Sequence, residues 1–106
     1  MTLRISKKST IIKIFSDQQS FNKEVGIDRI VDFLHTHLEK YGDDKKAIRN
    51  AIDYAFSDDS GKGGFVLVAQ KEDKIAGVTV INDTGMKGYI PEHILVYIAV
   101  DKKMRG

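Results

Sequence analysis

Leu95–Gly106 reads LVYIAVDKKMRG. An apolar run passes into a short charged turn and then an Arg-Gly pair. With Ile94 in front, Ile94–Val100 predicts a strand. Side chains alternate faces along a strand. Ile94, Val96, Ile98 and Val100 are therefore expected on one face, and Leu95, Tyr97 and Ala99 on the other. Apolar residues on both faces are the pattern of a strand covered on each side. Burying one large aliphatic side chain stabilises by about 1.5–3 kcal/mol, so the four branched residues stand for roughly 6–12 kcal/mol.

Working back from this strand, FVLVAQKEDKIAGVTVI (Phe65–Ile81) predicts a hairpin: strands over Phe65–Ala69 and Ile75–Ile81, with a polar turn at Lys71–Lys74. Asn82–Pro91 is a glycine-containing connection. Upstream the period changes. Ile27, Ile30, Val31, Leu34, Leu38 and Tyr41 fall at helical offsets and form one apolar stripe. Gly42 is the expected stop, and Asp43 or Asp44 the cap of a second helix. That helix carries Ala47, Ile48, Ala51, Ile52, Ala55 and Phe56 on its stripe. Ile11–Phe15 predicts an opening strand, and Asp17–Ser20 reads as a polar link. The expected class is α/β (α+β), in the order β-α-α-β-β-β. A mostly antiparallel sheet would carry a helix pair on one face. Two helices cover one face, which leaves the other for a further chain or for more of this one.

Composition narrows the functional classes. Of 106 residues, 42% are hydrophobic and 30% charged, with a net charge of +2. The lysines are scattered among acids, so no clustered basic face for nucleic acid is expected. The absence of cysteine excludes disulfides, thiolate zinc sites and cysteine nucleophiles. No apolar stretch approaches a membrane span, and no apolar core follows the early basic residues. A cytoplasmic protein that binds neither membrane nor nucleic acid is the expectation. GKGG at Gly61–Gly64 precedes a strand and lacks phosphate-loop spacing, so a turn is expected there. Asp58 has Ala69 where a calcium loop needs Glu. His35 and His37 point to different sides of a helix without a third ligand, and no metal is expected. Lys7–Lys8, Lys45–Lys46 and Lys102–Lys103 read as solvated surface.

Three features together resemble the N-terminal half of an N-acetyltransferase of the GNAT superfamily. They are the order of elements, the hairpin with its "KIAGV" return, and LVYIAVDKKMRG as the family's fourth strand entering its pyrophosphate loop. The resemblance implies a first portion of a single acetyltransferase domain, residues 1–106, with the C-terminal portion absent and the fragment inactive. Its loop pattern, Gln/Arg-x-x-Gly-x-Gly/Ala, would open with Arg105 and Gly106. By the same resemblance, the main chain of Ile98, Ala99 and Val100 would pair with the pantetheine of acetyl-CoA. The donor is expected to bind this fragment weakly or not at all. The acidic position within the family's strand is taken by Ile94, so the base role moves to Glu92, with His93 as the alternative. Tyr97 is expected to be a packing residue. The acceptor is an amine of unspecified class. Self-association through the last strand or the uncovered face is expected. The rival reading is a complete, non-catalytic binding or self-assembly module.

Overall fold

A computed structural model describes residues 2–4, 10–38, 43–59, 61–72, 74–85 and 92–104. Its strands are β1 (Thr2–Arg4), β2 (Thr10–Phe15), β3 (Gly64–Lys71), β4 (Lys74–Asp83) and β5 (His93–Val100). Its helices are α1 (Gln18–Glu24), α2 (Ile27–Leu38) and α3 (Lys45–Ala55), and a 3-10 turn spans Lys102–Met104. The strands form one antiparallel sheet in the order β1-β2-β3-β4-β5. The fold is α+β, as the sequence predicts, with the helix pair α2–α3 on one face.

Two elements exceed the sequence reading. β1 adds a strand outside β2. α1 replaces most of the expected polar link at Asp17–Ser20: Asp17 caps the helix by accepting from the Ser20 amide at 2.8 Å. This short helix is held by Phe21, fully buried edge-on against Phe15, with ring centroids 5.3 Å apart. α2 follows the predicted stripe, burying Ile27, Ile30, Val31 and Leu34. Tyr41 and Gly42, its expected end, lie outside the described residues. Of the two candidate caps for α3, Asp44 is the one used, accepting from the Ala47 amide at 2.8 Å.

The core lies between the helices and one sheet face. Ile30, Leu34, Ile48 and Ile52 meet Val66, Val68, Val80 and Phe15 there, most of them with no exposed surface. At the start of β3, Gly64 adopts φ +140°, and a Cβ there would lie 2.0 Å from the Ile81 carbonyl oxygen. Glycine is thus required where the loop after α3 enters the sheet.

Candidate functional site

Among the described residues, β5 has one hydrogen-bonded neighbouring strand, β4, and forms an edge of the sheet. Its register against β4 breaks once: Val80 pairs with Tyr97, but the next residue, Ile81, pairs with Leu95. Val96 is therefore an extra residue in β5, a bulge, which leaves it without a ladder partner and bends the strand. The bulge corrects the predicted alternation. Tyr97 and Ala99 face the helices and are buried, but Leu95 belongs to the opposite face with Ile98 and Val100. Ile94 pairs with Asn82, whose side-chain amide lies 3.1 Å from the Ala51 carbonyl of α3 and donates to it with its nitrogen turned that way, so the register places Ile94 on the helix side. Val96 packs against the core only in part.

The face away from the helices is apolar beyond β5. The pairing aligns Phe65, Ile81 and Leu95 in one row, Ile14, Leu67, Thr79 and Ile98 in a second, and Ile12, Ala69, Gly77 and Val100 in a third. Leu95 is 53% exposed, Ile98 58% and Val100 41%. Small residues at Ala69 and Gly77 make a shallow depression of about 210 Å³, walled by Ile12, Leu67, Ile98 and Val100.

The main chain of β5 is divided between its two sides. Asp101 donates its amide to the Ala76 carbonyl at 2.8 Å. Alternation then turns the main-chain groups of Tyr97 and Ala99 toward β4, and those of Ile98 and Val100 toward the open edge. Of the three residues predicted to contact pantetheine, the amide and carbonyl of Ala99 face β4, and those of Ile98 and Val100 face away from it. Arg105 and Gly106 lie outside the described residues.

At the start of β5, Glu92 accepts from the Thr84 amide through its carbonyl at 2.8 Å, and its side chain is exposed. It keeps the predicted parity with Ile94, which is the helix side. His93 lies on the other side, with Leu95. Its Nδ1 is 2.6 Å from Asp83 Oδ1, and its ring meets Phe65 at a centroid distance of 6.3 Å. Asp83 is positioned in turn by Tyr54, whose hydroxyl donates to the Asp83 carbonyl at 2.7 Å. An imidazole tied to a carboxylate through Nδ1 has a fixed tautomer and presents Nε2 as an acceptor. The sequence reading missed Asp83, because residue 83 is set opposite residue 93 by the register beyond the bulge, which the sequence pattern does not reveal.

On the helix side of β5, Tyr97 donates a short hydrogen bond to the Asp43 carboxylate. Burial, this bond and the negative charge of Asp43 and then Asp44 push the phenol up to about 12. Tyr97 is a packing residue, as expected, but its hydroxyl also ties β5 to the segment preceding α3. Beyond β5, His37 on α2 meets the turn Asp101–Met104: the Lys102 amide donates to its Nδ1 at 3.2 Å. His35 is exposed on the same helix. Among the described residues no helix is long and apolar enough to cross a membrane.

Comparison with family models, with curated proteins and with solved structures finds no match to this chain.

Proposed function

We propose that the chain supplies the donor-binding edge of an N-acetyltransferase that moves an acetyl group from acetyl-CoA to an amine in the cytoplasm. The observation that carries the reading is the layout of β5. Along this one edge strand lie, in sequence order, an oriented imidazole at His93, a bulge at Val96, outward-facing main chain at Ile98, and a fastened turn at Lys102–Met104. An extended pantetheine arm needs such an edge, since its amides pair with main chain as a further strand would.

In the reaction the amine nitrogen attacks the thioester carbonyl carbon. The C–N bond forms, the C–S bond breaks with its electron pair leaving on sulfur, and the ammonium proton passes to a base. His93 fits the base role better than Glu92. It is oriented by Asp83 and shares the face of Leu95 and Ile98, whereas Glu92 points to the helix side. The outward amide of Ile98 is placed to donate to the thioester oxygen as negative charge develops there. Arg105 and Gly106 would continue the site toward the diphosphate.

Acetyl-CoA titrated into 15N-labelled protein tests the reading. Weak binding is expected, with saturable shifts on the amides of Val96, Ile98 and Val100. At millimolar acetyl-CoA, unmoved β5 amides would overturn it. So would a coding sequence that lacks a Gly-x-Gly turn and an amphipathic helix after Gly106.

The continuous apolar face supports a second reading, a non-catalytic module that assembles through it. That module leaves β5 indifferent to acetyl-CoA.

A further inference from the structure

The turn after β5 is fastened at three points. The Asp101 amide donates to the Ala76 carbonyl at 2.8 Å, and the Lys103 amide to Asp101 Oδ1 at 2.8 Å. The third is the Lys102 amide, which donates to Nδ1 of His37 at 3.2 Å. His37 sits in the last turn of α2, its ring against Phe33 with centroids 4.4 Å apart, and its Nε2 is 3.8 Å from Asp101 Oδ2. The side chain is only 15% exposed. We propose that His37 is a proton-sensitive latch that positions the turn Asp101–Met104 and lets go of the Lys102 amide when its ring is protonated.

Donor and acceptor roles at the ring decide whether the tie holds. Nδ1 accepts from Lys102 only if it carries no proton, which places the ring proton of neutral His37 on Nε2, toward Asp101. Protonation puts a second N–H on Nδ1. Two donors then face each other, and the bond to Lys102 is lost. The positive ring meanwhile draws the Asp101 carboxylate, whose other oxygen holds the Lys103 amide. The net exchange swaps a tie to the main chain of the turn for an ion pair with its first residue. Arg29 and Asp32 on α2, Lys74 on β4 and Asp101 line the recess around the ring.

The turn leads directly to Arg105. Under the acetyltransferase reading, His37 is therefore a positioning residue for the diphosphate end of the donor. That consequence rests on the reading, whereas the latch does not.

Amide exchange and ring 15N shifts, followed by NMR on the whole chain from about pH 8 to about pH 5, test it across the range in which histidines titrate. Neutral His37 is expected as the Nε2–H tautomer, with the Lys102 amide protected. Through the His37 transition that protection should fall about tenfold after correction for intrinsic rates, the factor for one lost hydrogen bond. The Lys102 shift should move with the same midpoint. Asparagine at this position offers an acceptor that does not titrate, so H37N should keep Lys102 protection the same at both ends of the range, and H37L should lower it at about pH 8 and leave it without a pH-linked step. Lys102 protection unchanged through the His37 transition, or equal in H37L and the parent, would overturn the latch. If H37L fails to fold, the parent and H37N decide alone. A responsive Lys102 together with β5 amides unmoved by acetyl-CoA would keep the latch and remove the acetyltransferase reading.

Discussion

At the scale of single residues, Tyr97 shows how one side chain serves both the core and a polar tie. Its ring fills space under the helices, and its hydroxyl donates to Asp43, far away in sequence. Burial and that carboxylate hold the folded-state phenol at about 12, above the ordinary value near 10. The sign follows from proton counts. Above pH 10 the unfolded chain releases this proton while the folded chain keeps it. The unfolded state is thereby favoured, so the contribution of Tyr97 is whole below pH 10 and lost as pH rises toward 12. Tyr97→Phe should lower stability by about 1–3 kcal/mol at neutral pH, because Asp43 loses its donor. It should also flatten the fall between pH 10 and 12 relative to the parent. Denaturant melts of both proteins across that window check the two effects. Sequence periodicity identified Tyr97 as core but could not identify Asp43 as its partner, since pairing across the fold is set by packing rather than by spacing.

Among the elements, those with a long apolar period were legible and the short ones were not. α2 and α3 announce themselves by stripes of Ile, Val, Leu and Ala at helical offsets, and β3, β4 and β5 by runs of branched residues. α1, QQSFNKE, has one apolar anchor, Phe21, and a single residue has no period. β1, TLR, is likewise too short for alternation to register. The bulge at Val96 is invisible for a different reason: in a run that is apolar at every position, an inserted residue changes no pattern, yet it reverses the face of every residue before it. For the same reason the His93–Asp83 pair could not be read in advance, because it depends on the register beyond the bulge. The cap of α3 was readable as a choice of two aspartates, and the structure uses Asp44. Asp44→Ala should cost about 0.5–2 kcal/mol, by loss of an acceptor for the Ala47 amide. Asp43→Ala should instead act through Tyr97 and weaken the high-pH dependence, of which the part due to burial of the phenol remains. Thermal melts at neutral and alkaline pH separate the two aspartates.

For the molecule as a whole, the decisive property is that its helices cover one side of the sheet and leave the other apolar. Phe65, Leu67, Ile81, Leu95, Ile98 and Val100 share that side with Ile12 and Ile14, and among the described residues β5 is an edge strand. Apolar faces of this kind drive association, and open edges extend it by strand pairing. The parent chain is therefore expected to self-associate with rising concentration. Leu95 and Ile98 are more than half exposed, so lysine at both should leave the core intact while placing two like charges on the face and at the edge. The doubly substituted protein should run as a monomer, with unchanged far-UV circular dichroism and a melting temperature within a few degrees of the parent, since exposed substitutions alter stability by roughly 0.5 kcal/mol or less. Size-exclusion chromatography with light scattering, run at several concentrations, measures the difference. A parent chain that stays monomeric at high concentration would show that this surface is tolerated in water. β5 would then need neither a partner nor further chain to cover it. Acetyl-CoA binding by the double variant supplies the final discrimination. The donor is proposed to use the main chain of Ile98, which a lysine side chain leaves in place, so affinity should survive the loss of association; an assembly module would lose its one property with the same two changes.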